Sequence, residues 1–178
     1  MGLLSMLKKL KRKEREARVL LLGLDSAGKS TVLQRALGTN DAVAPTLGFD
    51  IRTVERRGVT LNVWDVGGQA TIRAYWRNYF EETDAVVWVV DSADAARLEL
   101  CAAGLAAVMH EEKLAGASLL VLANKRDLPG ALPLARIRDA LRPPGSHEFK
   151  LVPCSGVTGE GLDEALDWLV DELLARVL

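Results

Sequence analysis

The sequence predicts an α/β fold in which a mostly parallel, six-stranded sheet is flanked by helices. Apolar runs of the β type alternate along the chain with segments of helical periodicity, which is typical of a parallel sheet covered by helices. Two of the runs are joined only by Arg57-Gly58, so this pair is expected to form an antiparallel hairpin. The sheet should therefore contain one antiparallel strand.

The expected elements follow in order along the chain. Strands are predicted at 18–23, 49–56, 59–65, 85–90, 118–123 and 149–153, and helices at 29–38, 95–113, 133–141 and 161–176. Pro143-Pro144-Gly145 interrupts the chain before the last strand. In sheets of this kind, ligands bind beyond the carboxyl ends of the strands. The first, third and fifth strands each end in a polar cluster, so a site is expected there.

Length and composition favour a single globular domain with a substantial core. The chain has 178 residues, of which 49% are hydrophobic and 26% charged. No apolar run approaches the roughly 20 residues that a membrane-spanning helix needs, and no secretory signal is visible. Cys101 and Cys154 are too few for a disulfide framework, which favours a reducing compartment.

The net charge of −1 conceals a basic amino terminus. Residues 1–18 contain seven basic and two acidic side chains, which leaves an acidic remainder. This distribution argues against general nucleic-acid binding but permits contact with an anionic membrane surface.

The segment between the first strand and the first helix has the pattern of a phosphate-binding loop. Glycine stands at its first and sixth positions, followed by Lys29 and Ser30. Strand, loop and helix in this order direct backbone N–H groups and a helix N-terminus toward a polyphosphate. Lys29 can reach the β- and γ-phosphates, and the Ser30 hydroxyl can bind Mg²⁺. The predicted phosphate-binding residues are Gly23, Asp25, Ser26, Ala27, Gly28, Lys29, Ser30 and Thr31.

Two later segments contain the residue types that complete a binding site for a nucleoside triphosphate. Thr46, in the loop before the second strand, can bring its hydroxyl to Mg²⁺ and its N–H to the γ-phosphate. Asp65 at the end of the third strand can hold Mg²⁺ through a water molecule. Gly68 allows the backbone to approach the γ-phosphate, and Gln69 can orient the attacking water.

The end of the fifth strand predicts specificity for guanine. The Asp127 carboxylate can accept hydrogen bonds from the N1–H and the 2-amino group of guanine, which adenine does not offer. Asn124 can join this loop to the phosphate loop, and the Lys125 side chain can lie along the base. After the sixth strand, backbone N–H groups of Cys154-Ser155-Gly156 can reach the guanine O6.

Two other classes of function remain open at this point. A P-loop ATPase or nucleotide kinase would share the phosphate loop, but Asn124, Lys125 and Asp127 argue against it. A nucleotide-dependent binding module would need little hydrolysis, and the presence of Gln69 and Thr46 argues against that interpretation.

Five segments together resemble the small GTPases of the ADP-ribosylation-factor (Arf) superfamily. They are Gly-Leu-Asp-x-Ala-Gly-Lys at 23–29, Pro-Thr-x-Gly-Phe at 45–49, Trp-Asp-Val-Gly-Gly-Gln at 64–69, Tyr75-Trp76-Arg77-Asn78-Tyr79-Phe80, and Val90-Asp91-Ser92-Ala93-Asp94. The resemblance covers essentially the whole chain. It implies a P-loop small GTPase fold, GTP and GDP as ligands, and Mg²⁺ as the cofactor.

Four further segments point to a branch within that superfamily. Met1-Gly2-Leu3-Leu4-Ser5, Lys13-Glu14-Arg15-Glu16, Arg73-Ala74-Tyr75-Trp76 and Lys113-Leu114-Ala115-Gly116-Ala117 most resemble the Arf-like member linked to tubulin-folding cofactors. Its ciliary paralogue, an Arf-like GTPase of ciliary cargo, is the near neighbour. The resemblance implies a regulator of tubulin folding and microtubules that also releases lipid-modified cargo from carrier proteins. It implies a cytoplasmic protein, found also at the microtubule-organising centre or at the membrane periphery.

The resemblance also implies a switch with two states. In GDP-bound relatives the 49–64 hairpin is retracted and the N-terminal helix occupies a groove, whereas GTP pushes the hairpin forward and expels the helix. Phe49, Trp64 and Tyr79 match the aromatic triad that effectors of the family contact. Core packing is the commoner role of such side chains, and both roles can hold for one residue.

Hydrolysis is expected by in-line attack of water on GTP, aided by Mg²⁺, Lys29 and Gln69. No arginine is convincingly placed to act as a finger in cis, because Arg73 and Arg77 follow the switch segment and relatives take this arginine from an activating protein. Unaided turnover is therefore expected on the order of 10⁻⁴ s⁻¹. The expected partners are effectors, an activating protein and, where exchange needs help, an exchange factor. The chain itself is expected to be a monomer.

Residues 1–13 predict an amphipathic helix, and the chain is divided into a helical segment at 1–16 and a GTPase domain at 17–178. Apolar residues recur at helical spacing among basic ones: Leu3, Leu7 and Leu10, flanked by Leu4 and Met6. Such a helix can pack on the protein, on a partner or on a membrane, and we expect weak or transient membrane contact. Gly2 is a candidate for myristoylation, but Met6 stands where the pattern requires Ser or Thr.

Overall fold

A single sheet with the strand order β2-β3-β1-β4-β5-β6 forms the centre of the computed structural model, which describes residues 2–39, 46–142 and 149–176. The strands are β1 (Glu16–Gly23), β2 (Phe49–Arg56), β3 (Val59–Val66), β4 (Ala85–Asp91), β5 (Ser118–Asn124) and β6 (Phe149–Pro153). β2 pairs antiparallel with β3, and the other neighbouring strands are parallel. The predicted α/β fold with one antiparallel strand is therefore confirmed.

The helices cover both faces of the sheet. They are α1 (Leu3–Glu14), α2 (Lys29–Leu37), α3 (Ala70–Arg73), α4 (Leu98–Met109), α5 (Leu134–Ala140) and α6 (Leu162–Arg176). Short 3₁₀ segments occur at Trp76–Tyr79, Ala95–Arg97 and Glu112–Leu114. The sequence did not indicate α3 or the segment that follows it, because four residues are too few to show helical periodicity.

The prediction of one continuous helix over 95–113 was wrong. The Asp94 carboxylate accepts a hydrogen bond from the Arg97 backbone N–H, which closes a separate 3₁₀ turn before α4. At the other end Glu111 is extended, and the chain turns there so that Leu114 packs in the core.

Three parts of the sequence-based interpretation fall outside the described residues. Pro143-Pro144-Gly145 is one of them, and Pro45, beside the predicted ligand Thr46, is another. The third part consists of side chains in the N-terminal helix, namely those of Leu10 and of the basic residues at 8 and 11–13. The division of the chain at residue 16 remains a prediction.

The sheet separates two apolar cores because its side chains alternate between the two faces. In β1, Val19 and Leu21 belong to the core beneath α2 and α6, whereas Leu20 and Leu22 belong to the core beneath α4 and α5. Parallel strands covered on both faces are expected to be apolar along most of their length, as β4 and β5 are between their polar ends. The second core also contains Trp88, which is fully buried.

Ion pairs connect the tip of the β2–β3 hairpin to α6. Arg56 contacts Asp163 at 2.8 Å and Asp167 at 2.9 Å, and Arg57 contacts Asp171 at 2.8 Å. The three carboxylates lie four residues apart and therefore share one face of α6. Each exposed pair contributes little to stability, but together they define where the hairpin tip lies.

Four apolar residues of α1 do not pack into the body of the protein. Leu3, Leu4, Met6 and Leu7 are all exposed, which leaves one apolar face of this helix in contact with solvent. None of the helices in the described part of the chain is both long enough and apolar enough to cross a membrane.

The two leucines of α4 offer a matched test of the helix orientation. Leu105 is fully buried in the core with Trp88, whereas Leu100 is 48% exposed. We expect Leu105→Ala to lower the free energy of unfolding by about 2–5 kcal/mol. Leu100→Ala should change it by less than about 0.5 kcal/mol. Equilibrium urea unfolding of both variants in the same buffer measures the difference, and equal losses would contradict the assigned orientation of α4.

Candidate nucleotide-binding site

A cavity of about 400 Å³ opens at the carboxyl ends of the central strands. Its lining comes from the β1–α2 loop, the start of α2, the segment before β2, the segment after β3 and the loop after β5. The lining residues are Asp25, Ser26, Gly28, Lys29, Ser30, Thr31, Thr46, Gly67, Gly68, Gln69 and Lys125. All of these except Gly67 were predicted from the sequence as site residues.

The β1–α2 loop requires glycine at its last position. Gly28 has a φ of +95°, in the left-handed region, and a Cβ there would overlap the side-chain nitrogen of Asn124. α2 begins at Lys29, directly after this glycine. The first N–H groups of a helix have no acceptor within the helix, so α2 presents donors to an anion in the cavity.

Lys29 lies at the floor of the cavity. Its side chain is 7% exposed, and Nζ donates to the carbonyl oxygens of Gly23 at 3.1 Å and Leu24 at 2.9 Å. Burial lowers the pKa of this ammonium to about 8, although the carboxylates of Asp65 and Asp25 act in the opposite direction. A bound polyphosphate would place negative charge close to this ammonium group.

Ser30, Thr46 and Asp65 meet at one corner of the cavity. Ser30 Oγ donates to Asp65 Oδ2 at 2.5 Å and lies 2.9 Å from Thr46 Oγ1. The other carboxylate oxygen, Asp65 Oδ1, is buried and has no hydrogen-bond partner among the described residues. Burial also raises the pKa of this carboxyl, against the hydrogen bond from Ser30 and the charge of Lys29. Two hydroxyls and a carboxylate with an unused oxygen are the hard donors that Mg²⁺ prefers, so the residues fit this ion.

The backbone at Gly68 approaches the phosphate loop closely. Asp25 N–H donates to the Gly68 carbonyl oxygen at 3.1 Å, and a Cβ on Gly68 would lie 2.5 Å from Lys29 Nζ. Trp76 Nε1 donates to the Gly67 carbonyl oxygen at 2.9 Å and holds the segment from the other side. The side-chain oxygen of Gln69 is buried next to this segment without a partner in the described part of the chain.

Asn124 and Lys125 connect β5 to the phosphate loop. Asn124 Nδ2 donates to the Ala27 carbonyl oxygen at 2.9 Å, and Asn124 Oδ1 accepts from Gly156 N–H at 2.9 Å. Lys125 Nζ donates to the Ser26 carbonyl oxygen at 2.6 Å and forms an ion pair with Asp91 at 2.8 Å. The stem of Lys125 therefore spans the opening between the two loops.

Asp127 lies outside the cavity lining, at the end nearest β6. Its Oδ1 accepts a hydrogen bond from Ser155 Oγ at 2.8 Å, and Asp127 is exposed to solvent. Cys154 is fully buried beneath this end, and burial raises the pKa of its thiol to about 12. The structure thus brings the predicted base-binding residues together beside the phosphate cavity.

Phe49, Trp64 and Tyr79 form one aromatic cluster away from the cavity. Their ring centroids lie 5.3–6.0 Å apart, and Phe49 is 48% exposed. The Arg18 guanidinium lies 4.0 Å from the centroid of the Trp64 ring, on which it stacks. The cluster is packed on one side and open on the other, so its residues can both pack against the protein and contact an effector.

Several polar contacts beside the site were not indicated by the sequence motifs. Arg73 and Arg97 both pair with the Asp25 carboxylate, at 3.2 Å and 2.9 Å. Asp91 supplies the partner of Lys125. These contacts join residues that are far apart in the chain, so no local pattern could have identified them.

Comparison with known proteins agrees with this geometry. The model of the ADP-ribosylation factor family matches residues 3–173. ADP-ribosylation factor-like protein 2 of Drosophila melanogaster is 54% identical, covering 99% of this chain and 98% of the relative. The protein of the same name in Arabidopsis thaliana is 51% identical over 99% of this chain and 98% of its own length. ADP-ribosylation factor-like protein 3 of Chlamydomonas reinhardtii is 46% identical over 97% of this chain and 99% of its own length.

A solved structure shares the fold. The Arl6 BBS3 small GTPase from Trypanosoma brucei, determined with the bound nucleotide analogue GppNp, superposes with a TM-score of 0.83. It is 29% identical and covers 92% of this chain and 99% of that structure's chain. Members of this family bind GTP and GDP with Mg²⁺, hydrolyse GTP, and work as switches with effectors, activating proteins and exchange factors. With a family match over almost its entire length and relatives above half identity, the chain belongs to the ADP-ribosylation factor family of small GTPases.

Proposed function

We propose that this GTPase is a switch of the Arf-like branch linked to tubulin-folding cofactors, and that its GTP-bound form recruits effectors until hydrolysis releases them. The observation that carries the switch is the meeting of Ser30, Thr46 and Asp65 at one corner of the cavity. These residues come from three separate segments of the chain. A ligand that bridges them would order the Thr46 segment, so that nucleotide binding changes the conformation of the protein surface.

The phosphate end of the site uses the loop at 23–30. Backbone N–H groups and Lys29 hold the β- and γ-phosphates, while Gly68 allows the facing backbone to come close. Ser30, Thr46 and, through a water, Asp65 would hold Mg²⁺, which would supply positive charge to the phosphate oxygens when bound. Gln69 orients a water for in-line attack, and its buried, unpartnered side-chain oxygen is available for that hydrogen bond.

The base end of the site selects guanine. Asp127 accepts from the guanine N1–H and 2-amino group, and its hydrogen bond from Ser155 holds the carboxylate in place. Asn124 fixes the distance between the base end and the phosphate end, because it bonds to both loops. The predicted contact of Cys154, Ser155 and Gly156 with the guanine O6 is not supported by the structure. Their backbone N–H groups donate instead to the Ala123 carbonyl oxygen at 2.9 Å, the Glu160 carbonyl oxygen at 3.0 Å and Asn124 Oδ1 at 2.9 Å.

Two features correspond to the GTP-bound arrangement of the family. Thr46 lies with Ser30 and Asp65, and the apolar residues of α1 are exposed instead of filling a groove. Phe49, half exposed beside Trp64 and Tyr79, is then available to effectors, and Leu47 and Ile51 extend this apolar surface along the hairpin.

The assignment to the tubulin-linked branch is supported by the relatives named ADP-ribosylation factor-like protein 2. The roles in tubulin folding and in release of lipid-modified cargo derive from the family resemblance alone. In this proposal the protein is cytoplasmic, and α1 makes weak, transient membrane contacts. An Arf-like GTPase of ciliary cargo is the second candidate, because ADP-ribosylation factor-like protein 3 is similar at 46% identity.

Gln69→Leu should hold the protein in its GTP-bound state. Leucine cannot orient water, so we expect hydrolysis in the presence of an activating protein to fall by about a hundredfold or more. Phosphate release from preloaded protein measures this rate. Wild-type hydrolysis by the variant would refute the role of Gln69, and full cellular function of the variant would favour a binding module that does not need hydrolysis.

Asp127→Asn should move the base preference from guanine toward xanthine. The asparagine amide can donate to the xanthine O2 but no longer accepts from the guanine 2-amino group. Competition of GTP, ATP and XTP against a fluorescent nucleotide measures the change. Asp139→Asn is the matched control, because Asp139 is a surface carboxylate paired with Arg142. Tighter binding of ATP than of GTP by the wild-type protein would overturn guanine specificity.

Affinity capture from cytosol with GDP-loaded and GTP-analogue-loaded protein tests the branch. We expect the GTP-analogue form to recover a tubulin-folding cofactor and lipid-cargo carriers, as judged by mass spectrometry. Recovery of ciliary lipid-cargo carriers without any tubulin factor would favour the second candidate. Identical partners in both nucleotide states would contradict the switch itself.

A further inference from the structure

The Gly68 carbonyl oxygen accepts two hydrogen bonds that fix the orientation of its peptide group. One comes from Asp25 N–H at 3.1 Å, and the other from Arg73 Nε at 2.8 Å. Arg73 is the last residue of α3, so its side chain reaches back over the helix to the peptide that precedes it. Two donors from different elements therefore hold this one oxygen.

The fixed carbonyl determines the direction of the Gln69 backbone. The Gly68 carbonyl and the Gln69 N–H belong to the same planar peptide, in which they point in opposite directions. Gln69 also caps α3, since its own carbonyl oxygen accepts from Ile72 N–H at 2.9 Å and from Arg73 N–H at 3.1 Å. Arg73 thus contacts the backbone on both sides of Gln69.

The Arg73 guanidinium is itself held in place. Its Nη2 donates to Asp25 Oδ1 at 3.2 Å, and the same carboxylate oxygen accepts from Arg97 Nη1 at 2.9 Å. Arg97 also donates to the Asp25 carbonyl oxygen at 3.0 Å. Burial acts to raise the pKa of Asp25, but the charge and hydrogen bond of Arg97 and the charge of Arg73 bring this pKa below its usual value, so the carboxylate stays ionised at neutral pH.

We infer that Arg73 is a positioning residue for Gln69: it orients the Gly68–Gln69 peptide and so aims the Gln69 side chain at the γ-phosphate end of the cavity. The inference rests on the proposed role of Gln69 in orienting water. The same contacts explain why Arg73 does not serve as an arginine finger, since its donors are directed to Asp25 and Gly68 and not into the cavity.

Arg73→Ala should slow unaided hydrolysis through Gln69. In single-turnover reactions with preloaded GTP, we expect the rate constant to fall about tenfold, as loss of one hydrogen bond from a charged group predicts. Arg73→Lys should not restore the rate, because an ammonium cannot bridge Gly68 and Asp25 with the geometry of a guanidinium. Affinity for GDP should stay within about threefold of wild type in both variants, because Arg73 lies outside the cavity lining.

A double-mutant cycle distinguishes positioning from general structural damage. In a Gln69→Leu background, Arg73→Ala should cause no further loss beyond about twofold, because both changes remove the same function. Arg77→Ala is the matched control. Arg77 lies in the 3₁₀ segment that follows α3, its side chain is 78% exposed, and it forms a surface ion pair with Glu111 at 2.9 Å, so this variant should hydrolyse GTP like the wild type.

Each outcome has a definite meaning. Additive losses in the double variant, or wild-type hydrolysis by Arg73→Ala, would overturn the positioning role while leaving the role of Gln69 intact. Wild-type hydrolysis by Gln69→Leu alone would remove the proposed role of Gln69 and the inference with it. A tenfold loss in Arg73→Ala that vanishes in the Gln69→Leu background, with GDP affinity retained, would support the inference.

Discussion

The buried side-chain amide of Asn124 holds together the loops from which the site is built. Its nitrogen donates to the Ala27 carbonyl oxygen and its oxygen accepts from Gly156 N–H, each at 2.9 Å. Because the residue is only 2% exposed, a lost partner would leave a polar atom away from water, at a cost of about 1–3 kcal/mol. Position 28 must be glycine because the Asn124 side chain occupies the space that a Cβ would need. The same two hydrogen bonds fix the distance between the base end and the phosphate end of the site.

Much of the fold follows from local sequence, because each strand carries its own signal. β4 and β5 are short, apolar and bounded by polar residues, and the turn at Arg57-Gly58 defines the hairpin. The helical region at 95–113 was not predictable in the same way. No proline or glycine separates Met109 from Leu114, so the local sequence gives no stop signal, and the packing of Leu114 against the core requires the chain to turn.

The residues of the site also fall into those that local sequence indicates and those that only the fold brings together. Residues whose role depends on a neighbour in sequence, such as Lys29 after Gly28, were indicated by short motifs. The Arg73–Asp25 pair joins residues 48 apart and the Lys125–Asp91 pair joins residues 34 apart, so each exists only because parallel strands place their loops side by side. Sequence could not decide whether Phe49 is core or surface, because the residue is half exposed on an edge strand.

Cys154 has a chemical consequence of its own. It has no exposed surface, its sulfur lies 3.8 Å from Asn124 Oδ1, and burial raises its pKa to about 12. At neutral pH this cysteine is therefore almost entirely in the thiol form, whereas the thiolate is the form that attacks electrophiles and is oxidised by peroxide. The guanine end of the site is therefore insulated from oxidants, and a cysteine-directed inhibitor would find no reactive nucleophile beneath the base.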